Sequence, residues 1–565
     1  MKCTYTYDHY YLYEEITEIL QRYVQDYTGY CRLTSLGKTA EGRDIWKFEL
    51  TDRSTGDFED KPALCVTGNI HAGEVTGSMC VMYWLDYLLT NKDEKDVANI
   101  LKNFTVYAVP RISPDGSETY LTTPTQLRSI NKMHPFDEPQ PGVQPADIDG
   151  DGVIRHMRVK AKNGVWKVSE KDPRIMTKRR PDEMEGEFYN IYSEGEVLDF
   201  DGVNLQPAPV VFGNDFNRNF PCNWQTENKQ AGAGSYTLSS LETRTMAEFI
   251  QGQKNLCAIL NYHTWGGMYL YPPGFKGSKE AYKEDMDRYH AIGQMATEET
   301  SYPAVNIKDD YVGKAPISVM GLFDDFNHFT MGVMDYACEC WDLNPRLGYP
   351  HPWPRPESIS DEQQEDMAVA RMKWLDENND GIGFKDWTKF DHPVLGEVEI
   401  GGLDVKTVVQ NPPVKFLPQE VEKHTKFLLR FIKTLPRLSL DKISVTALGN
   451  DHYSIEAVAE NLGYLPTYII REALDVKKAR PLTAELPGDG VELEFVSGKA
   501  KEEIGHLQGF SGIKVSYSHI GPVTAAHQPC AKKLNWVIKA PAGTAVTLTV
   551  SAPKAGKVCE TILLK

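Results

Sequence analysis

Short apolar runs alternate with longer helix-like segments through the first three quarters of the chain. The runs at 63–66, 104–110, 256–263 and 332–342 are short and rich in branched and aromatic residues, as buried strands are. Residues 75–89 form an apolar run that is long enough for a buried helix. Strands that alternate with helices predict an α/β fold with a parallel or mixed sheet.

The two ends of the chain have different patterns. Apolar residues recur near the N-terminus at the spacing of one helix face, at Leu12, Ile16, Ile19, Leu20 and Tyr23. From residue 438 onward, short alternating runs are separated by glycine and proline turns, which is typical of a β-sandwich. We therefore expect one domain over 1–437 and an all-β, sandwich-like accessory domain over 438–565. The second domain is expected to pack on the first or to mediate assembly, and carbohydrate or surface binding is the alternative.

Composition narrows the classes of partner and compartment. The 565 residues are 41% hydrophobic and 25% charged, with a formal net charge of -18. This acidic balance argues against nucleic acid as a partner, and no apolar run is long enough to span a membrane. The N-terminus lacks the basic and apolar regions of a secretory signal, so we expect a cytoplasmic protein, or a secreted one if a signal was removed. Ten cysteines without a CxxC motif are expected to be mostly small buried hydrophobes.

A turn with two metal-binding side chains follows the predicted strand at 63–66. His71 and Glu74 stand three residues apart in the segment 67–78. Zinc binds imidazole nitrogen and carboxylate oxygen, and a hydrolytic site needs three protein ligands and one open position. His71 and Glu74 could supply two ligands, or they could be an ordinary loop histidine and an acid at a helix start.

Two later strands end in side chains of the same kind. His263 lies at the end of the strand predicted at 256–263 and is a candidate third ligand, although a packed core histidine is the alternative. Glu339 lies in the buried strand predicted at 332–342, where an unpaired acid is costly. A general-base role would explain it, and a structural salt bridge is the alternative.

Asn217 and Arg218 place an amide beside a guanidinium in the segment 213–221. The planar fork of arginine matches a carboxylate with two parallel hydrogen bonds. The pair is therefore a plausible anchor for a free C-terminal carboxylate.

Five motifs, taken together, resemble the M14 family of zinc carboxypeptidases. They are HAGE at 71–74, SPDG at 113–116, GNDFNRNFP at 213–221, NYHTWGG at 261–267 and YACECWD at 336–342. The resemblance runs over about residues 10–435, with insertions near 134–210 and 345–400. It implies a mixed, eight-stranded type of sheet flanked by helices.

The resemblance also implies roles for individual residues. His71, Glu74 and His263 would bind one zinc ion, and Glu339 would be the general base. Asp215 would orient the first zinc histidine, and Arg128 would polarise the scissile carbonyl. Asn217 and Arg218 would hold the terminal carboxylate of the substrate.

The implied reaction is hydrolysis of a C-terminal peptide bond, on a peptide with a free carboxylate. One alternative is a zinc amidohydrolase of the same family that acts on cell-wall peptides or acylated amino acids. Another is an inactive protein that binds ligands in the cleft. The sequence leaves the oligomeric state open.

The chain departs from the family pattern at several places. Gly73 stands where the family often has an arginine, and Trp265 where a tyrosine is commoner. Counting back from Glu339 without gaps puts Ile317 at the place of the family's mobile tyrosine, so Tyr311 is the nearest candidate for that role.

Two adjacent acids precede Glu339 at the distance of the family's specificity pocket. In having an acid at the position of Asp324, the chain resembles the family members that prefer a C-terminal lysine or arginine. A cell-wall diamino acid is a related cationic alternative. The alternative is that one of Asp324 and Asp325 makes a structural hydrogen bond while the other faces solvent.

Alternating aspartates precede a glycine in two segments, 147–152 and 376–381, and the middle place of the second segment is Asn378. Both resemble the first half of a calcium loop, but the twelfth positions are Arg158 and Trp387, which excludes a complete EF-hand. Calcium is one interpretation of these segments, and polar turns whose aspartates cap backbone amides are the other.

Overall fold

A computed structural model describes residues 1–314, 319–356, 358–488, 490–519, 521–526 and 529–565. Among these residues, every helix is too short or too polar to cross a membrane.

One mixed sheet of eight strands forms the centre of the first domain. Its middle strands are buried along their whole length, because helices cover both faces of the sheet. From one edge to the other, the strands are Cys31–Lys38, Asp44–Leu50, Thr105–Val109, Ala63–Gly68, Leu256–Thr264, Met334–Cys340, Met268–Tyr271 and Ala304–Asn306.

Four parallel strands at the middle of this sheet place the site. Thr105–Val109, Ala63–Gly68, Leu256–Thr264 and Met334–Cys340 run in the same direction. Their carboxyl ends therefore meet at one edge of the sheet. The predicted α/β fold with a mixed eight-stranded sheet is confirmed.

Eight helices of two turns or more accompany the sheet among the described residues. The helix Val75–Thr90 is buried on nearly all sides, because it packs between the sheet and the helix Leu417–Phe431. The helices are Tyr13–Asp26, Val75–Thr90, Lys95–Asn103, Pro114–Thr122, Leu241–Gly252, Lys283–Thr300, Asp361–Asn378 and Leu417–Phe431.

The two predicted insertions fold together into a second sheet. Two strands, Phe384–His392 and Gly396–Leu403, come from the later insertion and pair with the earlier one through His156–Lys160. The other strands of this sheet are Tyr189–Ser193, Trp166–Val168 and Met176–Lys178. A separate two-stranded ribbon joins Gly142–Pro145 to Gly195–Leu198.

In its described residues, the C-terminal part is all-β apart from the short α-helix Glu472–Asp475 and one turn of 3-10 helix at Phe510–Gly512. Its buried and exposed side chains alternate, for example along His452–Asn461, because each sheet has one face in a shared core. One sheet contains Leu438–Gly449, His452–Asn461, Ala531–Lys539 and Glu494–Ser497; the other contains Lys501–Gly505, Leu482–Glu485, Ala545–Ala552 and Gly556–Leu563. The hairpin strands Lys514–Ser518 and Gly521–Ala526 pair with each other.

The C-terminal part also contacts the first domain closely. Leu465, Ile469, Ile470 and Ala473 are buried in the core of the eight-stranded sheet. The buried ammonium of Lys554 donates to the carbonyl of Gly332 over 2.5 Å. The domain boundary between residues 437 and 438 stays a prediction.

Candidate active site

The candidate metal ligands come from the carboxyl ends of neighbouring parallel strands. His71 lies in the turn after Ala63–Gly68, and Glu74 immediately precedes the helix Val75–Thr90. His263 lies at the end of the adjacent strand, directly opposite Glu339 in the strand pairing. The topology of the sheet therefore brings together four residues from three segments that are far apart in sequence.

Three donor groups converge in a buried space between these strand ends. Nδ1 of His71 lies 2.9 Å from Oε1 of Glu74, and Nδ1 of His263 lies 2.9 Å from Oε2 of the same carboxylate. The two Nδ1 atoms are 3.2 Å apart. All three side chains are almost fully buried.

The outer nitrogen of each histidine has a hydrogen-bond acceptor. Nε2 of His71 lies 2.9 Å from Oδ1 of Asp215, and Nε2 of His263 lies 2.7 Å from Oδ1 of Asn261. The amide nitrogen of Asn261 donates to Asp335, which leaves its oxygen to accept. The protons of the neutral imidazoles are thus assigned to Nε2, and both Nδ1 lone pairs face the carboxylate of Glu74.

This donor set requires positive charge at its centre. Two nitrogen lone pairs and a carboxylate repel one another at about 3 Å unless protons or a cation lie between them. Burial opposes the charged form of His263, but the carboxylate of Glu74 raises its pKa to about 9. Two imidazoles and one carboxylate are a ligand set that zinc accepts, so the residues fit this metal.

Glu339 faces the same space from the adjacent strand. Its Oε2 atom is buried and has no hydrogen-bond partner in the structure. Burial raises the pKa of Glu339 to about 8. The side chain is thus a buried carboxyl that is ready to exchange a proton beside the candidate metal ligands.

Asp215 connects the candidate metal ligand His71 to Arg128. Its Oδ1 accepts from His71, and its Oδ2 accepts from Nε of Arg128 over 2.9 Å. Burial opposes ionisation of Asp215, but the charge of Arg128 holds its pKa well below the usual range. The guanidinium also reaches Oε1 of Glu74 at 3.4 Å.

One small cavity of about 70 Å³ opens beside the donors. Arg128, Asn217, Arg218 and Tyr311 line it together with His71, His263 and Glu339. The side-chain oxygen of Asn217 accepts from the backbone N–H of Phe323, so the amide nitrogen of Asn217 takes no part in this bond. Arg218 donates from one nitrogen to the carbonyl of Asn217.

Asp324 lies in the wall of this cavity among apolar side chains. The apolar part of the wall is Leu270, Ile307, Val319, Leu322 and Ala337. Asp324 is 1% exposed, and it accepts from the amide nitrogen of Asn261 over 3.4 Å. Asp325 is outside the lining and accepts from the backbone of Gly274 over 2.9 Å. Ile317 lies outside the described residues.

Asn261 was missed by the sequence analysis although the sequence carried a signal for it. It lies two residues before His263 on the same strand, so both side chains point to the same face of the sheet. A histidine that binds metal commonly donates its second nitrogen to an oxygen acceptor. Asn261 is the acceptor for His263, as Asp215 is for His71.

Gly73, which stands where the family often has an arginine, has no room for a side chain. A Cβ atom there would lie 2.6 Å from both Gln410 and Tyr120. The segment after the second insertion therefore fills the space beside Gly73, and Asn411 donates to its carbonyl over 2.8 Å. Trp265, in contrast, is 41% exposed and is absent from the cavity lining.

Basic side chains form ion pairs with the acids of the segments 147–152 and 376–381. The ammonium of Lys385 lies 2.6 Å from both Asp149 and Asp151, and Glu194 lies near Asp147 and Asp149. Asp376 pairs with Arg174 over 2.8 Å. Calcium binding at either segment stays a prediction.

Two family descriptions match the chain. A model described as zinc carboxypeptidase matches residues 16–368, and a domain of unknown function matches residues 437–562.

Individual relatives match over limited lengths. A zinc carboxypeptidase of Saccharothrix mutabilis subsp. capreolus is 30% identical over 118 residues, which are 21% of this chain and 27% of that protein. Human carboxypeptidase D is 28% identical over 111 residues, 20% of this chain and 8% of that protein. Zinc carboxypeptidase A 1 of Drosophila melanogaster is 22% identical over 352 residues, 60% and 63% of the two chains. The chain thus spans less than two thirds of the length of each of these relatives.

A solved structure is also similar in part. The crystal structure of thrombin activatable fibrinolysis inhibitor aligns with a TM-score of 0.39 and 14% identity, over 66% of this chain and 76% of that chain.

Proposed function

Because this chain belongs to the M14 family of zinc carboxypeptidases, we propose that it hydrolyses the C-terminal peptide bond of a peptide. The observation that carries the proposal is the convergence of His71, Glu74 and His263, with the Nδ1 atoms of the two histidines 3.2 Å apart, beside Glu339, whose Oε2 atom has no hydrogen-bond partner. A cation-binding donor set next to a free proton acceptor is what hydrolysis requires.

His71, Glu74 and His263 would hold one zinc ion. Asp215 and Asn261 fix the outer nitrogens of the two histidines, so that both Nδ1 lone pairs point inward. When bound, zinc lowers the pKa of a water molecule and polarises a carbonyl oxygen. The buried position of the donors keeps bulk water from competing for them.

Glu339 would move the proton. In its ionised form it accepts a proton from the attacking water, and it then donates that proton to the leaving amine. The free Oε2 atom makes this possible without breaking a protein hydrogen bond. Its raised pKa of about 8 brings the carboxyl closer to the basicity that both transfers need.

Three cationic or amide groups would select and hold the substrate. Arg218 and the amide of Asn217 line the cavity and match a terminal carboxylate. Arg128, held by Asp215, would face the scissile carbonyl as negative charge develops on its oxygen. Tyr311 lines the same cavity and could close over the bound residue.

The proposed specificity is for a C-terminal residue with a cationic side chain. The apolar wall of the cavity fits an aliphatic stem, and the buried Asp324 offers a charge partner to its end. Lysine, arginine and a cell-wall diamino acid share this chemistry. A neutral or acidic side chain would leave the carboxyl of Asp324 unpaired or repelled.

Metal analysis and a substrate panel test the proposal. We expect one zinc ion at this site in the full chain, and we expect His263→Ala to lose it after dialysis. Peptides that end in a free carboxylate should be cleaved, and the same peptides with a C-terminal amide should not. Stoichiometric zinc at this site in the His263 variant would contradict the ligand assignment.

The panel also separates the alternative functions. Cleavage of cell-wall fragments or acylated amino acids, but not of ordinary peptides, would indicate the amidohydrolase. Zinc and ligand binding without turnover on any of these substrates would indicate an inactive cleft-binding protein.

A further inference from the structure

Three thiols and one imidazole lie together behind the proposed active site. In the strand Met334–Cys340, Glu339 faces the cavity, whereas Cys338 and Cys340 point to the other face because side chains alternate along a strand. On that face they meet Cys80 from the helix Val75–Thr90. His424 from the helix Leu417–Phe431 completes the group.

The distances within this group are those of ligands that share one metal ion. The Sγ atom of Cys340 lies 3.9 Å from that of Cys80 and 3.9 Å from that of Cys338. The donor atoms of Cys80, Cys340 and His424 all lie within 4.8 Å of one another. Two thiolates on one tetrahedral zinc ion are about 3.8 Å apart, since each Zn–S bond is about 2.3 Å long.

Both ring nitrogens of His424 have polar neighbours that fix the orientation of the ring. Its Nδ1 lies 2.7 Å from the hydroxyl of Tyr269 and 3.7 Å from Sγ of Cys338, and its Nε2 lies 3.3 Å from Oε1 of Glu420. One nitrogen can therefore bind a metal while the other keeps its hydrogen bond. A metal-bound histidine is commonly held by a neighbouring oxygen in this way.

The cluster differs from the other buried cysteines of the chain. Within the described residues, Cys31, Cys65 and Cys257 belong to no group of three metal-binding side chains. The residues of the cluster come from three separate segments and are at most 1% exposed. Cysteine is often buried as a small apolar residue, but another small apolar residue could fill each of these positions equally well. The general tendency of cysteine to be buried therefore does not explain why three thiols meet a histidine.

We propose that Cys80, Cys340 and His424, with Cys338 in reach as a fourth ligand, form a second metal site for zinc or a similar thiophilic divalent cation. The residues that define this site are separate from the ligands of the proposed active site. Bound metal would tie the strand that carries Glu339 to the two helices behind it. The expected role is to fix that strand, because the buried site leaves no room for a substrate.

Cobalt substitution tests the site in the full chain. Thiolate ligands give Co²⁺ an intense charge-transfer absorption in the near ultraviolet, which the nitrogen and oxygen donors of the catalytic site cannot produce. We expect this absorption in metal-depleted protein to which Co²⁺ has been added. We expect it to persist in the double variant His71→Ala/His263→Ala, with one bound metal ion per chain in place of two.

Cysteine variants connect the absorption to the cluster. Cys80→Ala/Cys340→Ala should abolish the absorption and remove one metal ion per chain, whereas the matched control Cys65→Ala should retain both. Absence of the absorption in the unsubstituted, folded protein would overturn the proposal without need of any variant. Its survival in the Cys80/Cys340 variant, or a disulfide that joins these residues in the purified protein, would do the same. Loss of peptide hydrolysis with an intact thiolate absorption would instead count only against the proposed function.

Discussion

Replacement of Asp324 by asparagine tests the proposed specificity most directly. The substitution keeps the shape of the side chain and removes its charge. Asp324 is 1% exposed and lines the cavity, and its side chain accepts from the neutral amide of Asn261 over 3.4 Å. A bound lysine or arginine would therefore be its main ionic partner, and the variant would leave that cation buried without one.

The expected loss follows from this burial. Removing one partner of a buried ion pair costs about 2–5 kcal/mol. Because about 1.4 kcal/mol corresponds to a factor of ten, a middle value of about 3 kcal/mol predicts a loss of about 10²-fold in kcat/KM for peptides that end in lysine or arginine. Peptides that end in leucine should not lose kcat/KM, since they make no ion pair with Asp324.

The assay compares kcat/KM for one peptide series that differs only in the last residue. Asp325→Asn is the matched control, because it removes a buried carboxyl from the next position without changing the cavity wall. We expect it to leave the ratio of lysine to leucine substrates unchanged. The reasoning is refuted if the unsubstituted protein shows no preference for lysine or arginine and Asp324→Asn leaves the ratio as it was.

Three further predictions concern proton transfer, ligand orientation and pH. Glu339→Gln should keep the bound zinc, measured by elemental analysis, and lower kcat by about 10² or more; near-normal turnover would assign the base elsewhere. Asp215→Asn should weaken zinc binding by about 10- to 100-fold in competition with a chelator, because it disturbs the orientation of His71; an unchanged affinity would remove that role. Burial raises the pKa of Glu242 from 4.5 to about 7, so the folded chain binds this proton more tightly and loses up to about 3 kcal/mol of stability as the pH rises from about 4.5 to about 7. In Glu242→Gln, the urea midpoint of unfolding should therefore fall less between about pH 4.5 and about pH 7 than in the unsubstituted protein. An equal fall in both proteins would contradict this role of Glu242.

The sequence was most informative where one local pattern fixes one element. The apolar runs at 63–66 and 256–263 became buried parallel strands, Ala63–Gly68 and Leu256–Thr264, because only a strand covered on both faces is apolar throughout. Parallel strands bring their carboxyl ends together, so histidines at those ends had to meet. The convergence of His71 and His263 could therefore be anticipated without knowledge of the intervening chain.

The pairing of distant segments could not be read in the same way. The strands Phe384–His392 and His156–Lys160 belong to one sheet through Gly396–Leu403, but their mixtures of apolar and polar residues would suit many partners. The closing of the acidic segment 147–152 by Lys385 depends on that pairing. A calcium loop and a lysine-paired turn look alike until the partner strand is placed.

The proposed base Glu339 and the second proposed metal site both depend on the register of a single strand. The pairing of Met334–Cys340 with Leu256–Thr264 sets Glu339 opposite His263, and the same alternation directs Cys338 and Cys340 to the other face. A shift of one residue would move the carboxyl into the apolar core and the thiols into the cavity. Metal bound to Cys340 behind the sheet would oppose that shift. Loss of this metal should therefore lower turnover through a misplaced Glu339 while the zinc at His71 and His263 stays bound.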